Sequence, residues 1–317
     1  MKRILSLTVA GALALAFTFT AHAGGGRDTG PVGPTVTVTH MSGVTEVPVN
    51  PRRVVVFDMG VLDTMDALGL GGYVIGLPMN VIPRSLERFG QSPFVNMGTL
   101  HQPNLEIVVA HDPDLIIISG RARPMFDELS RIAPTVDLAI DNNDIMGSFR
   151  TNNTYVGRIF GREAEVAALL AGIDAQIAEV SGEARALGQE SLIILHNQGS
   201  LRAFGPGSRF GFIHDVLGVA PVDPGIPVAG HGHVISNEYI VANNPGIMFV
   251  LDRNYIVDRT ATPRHDIENE LVRLTTAFAN DNIFYLDTEL WYLVVGGVQG
   301  KSAKIAEIGN AVRNAGN

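Results

Sequence analysis

The stretch NLEIVVAHDPDLIIISGR, residues 104–121, decides the fold, because the chain repeats its grammar as SNEYIVANNPGIMFVLDR at residues 236–253. Each copy opens as a short helix carrying an acid, Glu106 or Glu238, and stops before a proline, Pro113 or Pro245. A continuous apolar run follows, and each copy closes on an arginine, Arg121 or Arg253. Apolar β-branched runs of this length are expected of strands buried on both faces of a parallel sheet. One such unit in each half predicts two similar α/β lobes instead of one large sheet.

Outward from these copies the alternation continues. RRVVVF (52–57) and SLIILHN (191–197) read as further buried strands, and TVTVTH (35–40) as a half-buried one. GVLDTMDALGL (60–70), FGFIHDVLG (210–218) and NEYIVANNP (237–245) read as helices that end at glycine or proline. Between the halves, residues 153–188 hold few breakers beyond Gly157, Gly161 and Gly172. Val166, Leu169, Leu170, Ile173, Ile177 and Val180 recur there at helical spacing. About 25 helical residues would run roughly 37 Å, enough to bridge two lobes stiffly. The expected organisation is an N-terminal α/β lobe over 35–150, a bridging helix region over 151–187 and a C-terminal α/β lobe over 188–317. A ligand cleft is expected between two Rossmann-like lobes joined by the long helix.

Residues 1–23, MKRILSLTVAGALALAFTFTAHA, combine a basic start, an apolar run and the small-x-small end Ala21-His22-Ala23. That pattern is a secretory signal peptide cleaved after Ala23. Residues 24–34, GGGRDTGPVGP, read as a flexible leader. Removal of Lys2 and Arg3 leaves 21 basic against 32 acidic residues, a net charge of −11. Nucleic-acid binding runs on cationic surface and is excluded on that ground. There is no cysteine, so a lipid-modified N-terminal Cys is ruled out. A body of about 290 residues buries enough core to do without disulfides. A free, monomeric protein of a Gram-negative periplasm fits.

Five segments carry a resemblance: SGRARPMFDELSRIAPT (119–135), GPGSRFGFIHDVLG (205–218), GHGHVISNEYI (230–240), NPGIMFVLDR (244–253) and LDTELWYLVVGG (286–297). In this order, on a two-lobed chain from about Val36 onward, they resemble the helix-bridged periplasmic solute-binding proteins of ABC importers. Within that class they look like the subfamily that binds ferric catecholate-type siderophores. The resemblance implies capture of a ferric siderophore, of a kind that includes tetradentate ligands, and delivery to an inner-membrane ABC permease. It implies no catalysis and no permanent cofactor, the Fe(III)-siderophore being the transported ligand.

The same resemblance implies that His231 and Tyr292 complete the iron shell. A tetradentate bis-catecholate supplies four of the six ligands Fe(III) prefers, and an imidazole and a phenolate are fitting additions. His233 is expected to be a bystander. Tyr292 and Trp291 are expected to point to opposite faces of an extended segment, one ring into the cleft and one into the core. Arg121, Arg209 and Arg253 are expected to neutralise the anionic cargo, since guanidinium forks suit catecholate oxygens and stack on rings. Arg123 remains an alternative to Arg121. Glu106 and Glu238, one per lobe, are implied contacts for the permease, although an acid at a helix start is also favoured by the macrodipole.

Rival readings keep the scaffold and change the cargo to haem, cobalamin or a hydroxamate siderophore. Zinc would require more histidines and an acid. A periplasmic metal-dependent hydrolase could recruit Asp58 and Asp63, but no His-carboxylate spacing supports it. There is no G-x-S-x-G and no P-loop lysine. GLGGYVIG (69–76) follows a helix-like run and reads as a helix stop, and DNNDIMG (141–147) lacks the distal glutamate of a calcium loop.

Overall fold

A computed structural model describes residues 33–257 and 259–316. The expected signal peptide and nearly all of the expected leader lie outside the described residues. The first lobe opens with a hairpin, β1 (Thr35–His40) and β2 (Gly43–Pro48), paired antiparallel. Then come β3 (Val54–Val56), α1 (Met59–Ala67), β4 (Val74–Leu77), β5 (Val95–Asn96), α2 (Leu105–Ala110), β6 (Leu115–Ile118), α3 (Phe126–Ser130) and β7 (Thr135–Asp137). The strands after the hairpin form one parallel sheet in the order β5-β4-β3-β6-β7. Every residue of β3 and β6 is buried, which is why neither shows alternation in sequence.

Two helices follow, α4 (Ile145–Phe160) and α5 (Glu163–Leu187). They are separated at Gly161, whose left-handed φ of 61° ends α4. The crossing between lobes belongs to α4. Its Phe149 enters the second lobe's core while Val156, Ile159 and Phe160 enter the first lobe's. The 25-residue α5, which the spacing predicts as the bridge, lays Ile173, Val180 and Ala184 along the second core.

The second lobe contains β8 (Glu190–Asn197), β9 (Ser200–Phe204), α6 (Phe212–Asp215), β10 (Ala220–Pro221), β11 (His233–Ile235), α7 (Asn237–Asn243), β12 (Ile247–Asp252) and α8 (Arg253–Val257). It ends with α9 (Arg264–Ile267), α10 (Thr276–Ala279), β13 (Ile283–Tyr285), α11 (Thr288–Leu293) and α12 (Val298–Ala315). Its sheet runs β11-β9-β8-β12-β13, with β10 added beside β8. β12 is parallel to β8 and β13, whereas β9 and β11 are antiparallel additions that the apolar runs do not announce. No helix among the described residues is long and apolar enough to cross a membrane.

The two copies of the deciding stretch take matching conformations. α2 and α7 are capped by Asn104 and Ser236, whose side chains accept from Ile107 N and Tyr239 N. Before each proline the chain turns through a left-handed residue, Asp112 at φ 42° and Asn244 at φ 43°. Asn and Asp tolerate that region better than other side chains do. Each copy then enters a central strand, β6 or β12, and delivers its arginine at the strand's C-terminal end. That is where open α/β sheets place ligands.

Candidate functional site

Tyr292 stands at the centre of the cleft. It lies in α11, a helix and not the extended segment expected, so its separation from Trp291 is a helical rotation and not strand alternation. The outcome for the rings is similar. Trp291 is 4% exposed in the second core, and Tyr292 is half-buried and faces the cleft. Leu293 and Val294 enter the first core, so α11 crosses the lobes as α4 does.

Three guanidinium groups surround the Tyr292 ring. Arg121, Arg209 and Arg253 lie with their Cζ atoms 5.3, 4.3 and 5.9 Å from its centroid. Arg121 follows β6 and donates from Nη2 to the Tyr292 carbonyl oxygen at 2.8 Å. Arg253 follows β12, donating from Nε to the Tyr292 hydroxyl at 3.3 Å and from Nη1 to Asn197 Oδ1 at 2.9 Å. Arg209 projects from the turn after β9 and also lies 4.8 Å from the Phe210 ring. That turn is held by Ser208 Oγ donating to Gly205 O and by Gly207 N donating to Asp215 Oδ2 at 2.7 Å.

Burial pushes the Tyr292 phenol up, but the hydrogen bond from Arg253 and the charges of Arg209 and Arg253 outweigh it and hold the pKa below the usual value. For Arg209, burial lowers the pKa; Tyr292 opposes this, and Arg121 and Arg253 add to it. Three like charges held this close amount to a site awaiting negative charge.

The open question over Arg123 is answered by its contact. It donates to the buried Asp137 carboxylate, leaving Arg121 to face the cleft. His231 is exposed on the turn Ala229–Gly232 and borders the cleft beside Arg209. Gly232 has φ 77°, and a Cβ there would stand 2.5 Å from the Phe204 ring. Glycine therefore lets the turn lie flat on Phe204 with His231 at its crest. His233 begins the edge strand β11 opposite Ala203 and is absent from the cleft lining.

The cleft has two connected compartments, about 620 and 340 Å³, which share His101, Arg121, Arg209, His231, Tyr292 and Leu293. The larger is also lined by Arg202, Arg253 and Arg259, and no carboxylate lines it among the described residues. Five arginines line it, and although Arg259 pairs with the buried Glu289, the other four, in a chain of net charge −9, make a concentrated anion site. His101 was not foreseen. It sits in a loop tied by Thr99 Oγ1, which accepts from Gln102 N at 2.9 Å, and single loop residues give no periodic signal.

The two aspartates considered for hydrolysis are engaged in capping. Asp58 accepts from Gly60 N and Val61 N at the start of α1, and burial pushes its pKa up. Asp63 accepts from Gln299 N at 2.9 Å and Gly300 N at 3.1 Å, away from the cleft lining. Glu106 and Glu238 are exposed in the first turns of α2 and α7 and take part in no ion pair among the described residues. A hydrogen bond from Ser236 holds the Glu238 carboxyl below its usual range. No group of three or more His, Asp or Glu side chains placed to hold a metal ion occurs among the described residues.

A family model described as periplasmic binding protein matches residues 54–290. The petrobactin-binding protein YclQ of Bacillus subtilis (strain 168) is 42% identical over 275 residues, 86% of this chain and 87% of YclQ. Its crystal structure matches with a TM-score of 0.86 at 41% identity, covering 88% of this chain and 99% of that one. The ferric-anguibactin-binding protein FatB of Vibrio anguillarum (strain ATCC 68554 / 775) is 30% identical over 279 residues, 86% of each chain. The crystal structure of the periplasmic catecholate-siderophore binding protein VctP from Vibrio cholerae matches with a TM-score of 0.82 at 32% identity, over 87% of this chain and 99% of that one.

Proposed function

The chain belongs to the periplasmic binding protein family, and from that premise we propose that it captures a ferric catecholate siderophore and hands it to an ABC importer. The observation that carries this reading is the larger compartment, with five arginines, Tyr292 and no acid. Its volume, about 620 Å³, falls within the range of about 300–1,000 Å³ usual for small-molecule sites. The relatives bind petrobactin, ferric anguibactin and a catecholate siderophore by name.

Arg121, Arg209 and Arg253 neutralise the ferric complex and donate to its catecholate oxygens. In this reading the iron arrives with the siderophore's own donors. His231 and Tyr292 then fill positions that a tetradentate cargo leaves open. The depressed Tyr292 pKa favours the phenolate such a role needs. As in the named relatives the task is binding, and the cargo itself is the only iron compound involved. Export through residues 1–23, release as a monomer into the periplasm, and docking on the permease through Glu106 and Glu238 complete the proposal.

Trp291 is the single tryptophan and lines the smaller compartment, so its fluorescence reports occupancy. Titration with a ferric bis-catecholate is expected to give saturable quenching. The curve should weaken when His231→Ala and Tyr292→Phe are combined. Identical curves for the wild type and the double variant would remove the coordination role while leaving capture intact.

A further inference from the structure

Behind the smaller compartment, Arg209, Trp291 and Asn142 also border a small void of about 20 Å³. Phe212, Lys301 and Lys304 are among its other walls. Roughly 10–15 Å³ suffices for one water-sized body. Lys301 and Lys304 lie in the first two turns of α12, each 3% exposed. Lysine is almost never buried so fully without a charged partner.

No carboxylate lines this void among the described residues. Lys304 Nζ donates to Val294 O at 2.6 Å and lies 5.6 Å from the Trp291 ring centroid. Lys301 Nζ is held 4.2 Å from the Phe212 centroid and 4.9 Å from that of Phe149, and makes no hydrogen bond among the described residues. The nearby acids are committed elsewhere. Glu307 accepts from Asp287 N at 2.7 Å and Trp291 Nε1 at 2.6 Å, and Asp63 accepts from the α12 amides.

We propose that this void is a site for one monatomic anion, a halide such as chloride, held by Lys301, Lys304 and Arg209. A buried cation cluster must lose protons or gain a counter-ion. Without an anion, burial pushes Lys301 down to about 7, and burial together with the charges of Lys301 and Arg209 pushes Lys304 well below its usual value. An anion reverses that shift, and a void of about 20 Å³ has room for one small ion. Aromatic faces against Lys301 leave the void itself as the place for its acceptor. The site adjoins the cargo cleft through Arg209 but does not depend on what the cargo is.

The test uses the full mature chain without siderophore, titrated with sodium bromide against sodium gluconate at constant ionic strength. Bromide quenches indole fluorescence by heavy-atom contact, and Trp291 walls the void. The expected result is saturable quenching, competed by chloride, with the midpoint weakened about ten- to a hundredfold in Lys301→Met. Quenching that rises linearly and equally in the two proteins overturns the proposal. Crystals grown in bromide provide a second measurement on the unaltered chain. An anomalous peak between Lys301 and Lys304 supports the site, and its absence overturns it.

Discussion

Arg121 Nη2 donates to the carbonyl oxygen of Tyr292 at 2.8 Å, across 171 residues of sequence. The acceptor lies in the last turn of α11, where helix carbonyls lack intrahelical partners. One guanidinium thus satisfies a helix end and lines both compartments of the cleft.

The arginine set is separable by substitution. Arg121→Met, Arg209→Met and Arg253→Met are each expected to weaken ferric-catecholate binding about ten- to a hundredfold, the scale of one lost charge-assisted hydrogen bond. Arg123→Met is expected to leave the affinity unchanged, because its side chain is committed to Asp137. Calorimetric titration of the four variants checks this, and an Arg123 effect as large as the others would contradict it.

Asp63 makes stability depend on pH. Buried at 2% exposure, its carboxyl is pushed up to about 6 from 3.8. A raised folded-state pKa means that the folded protein binds the proton more tightly than the unfolded chain. The stabilisation is therefore complete below about pH 4 and is lost as pH rises to about 6, amounting to roughly 3 kcal/mol. Urea unfolding at pH 4, 5, 6 and 7 is expected to show this fall, and Asp63→Asn to flatten it. A slope unchanged in the variant would assign the dependence to another group.

Glu289, 2% exposed, is held by two arginines from different parts of the chain. Arg84 donates through Nε at 3.2 Å and through its backbone N at 3.0 Å, and Arg259 pairs with the other carboxylate oxygen. Loss of either arginine leaves one guanidinium partner, whereas loss of both leaves a buried carboxylate with only the backbone N–H of residue 84. Arg84→Ala and Arg259→Ala are expected to cost about 1 kcal/mol or less singly, the scale of exposed partners. Together they are expected to cost about 3 kcal/mol or more. A double-mutant cycle in urea measures the difference, and strict additivity would mean that the two arginines act on Glu289 independently and do not substitute for each other.

Much of this was legible because both strand copies have buried apolar runs that lead to an arginine, so β6, β12, Arg121 and Arg253 could be read from one pattern. β9 and β11 were not, since antiparallel strands of three to five residues carry neither a long apolar run nor a helix between them. α11 was misread as extended because six residues are too few for a helical period to emerge from an apolar stretch. His101 and Arg259 reach the cleft from loops, where tertiary geometry alone sets direction. Lys301 and Lys304 carry no sequence signal of burial, which comes from packing against Phe149, Phe212 and Trp291.

Glu106 and Glu238 should act on the partner and not on the cargo. Charge reversal of both to Arg is expected to leave siderophore affinity within about twofold, as neither lines the cleft. Uptake of labelled ferric siderophore by cells carrying the importer should fall at least tenfold. Undiminished uptake would remove the docking role.

The most direct test of the whole account is a fluorescence titration of the mature protein with a ferric tetradentate bis-catecholate, read at Trp291. The account predicts saturable, one-to-one quenching that excess iron-free ligand competes away only weakly. A flat or unsaturable response to every ferric catecholate tried would contradict it.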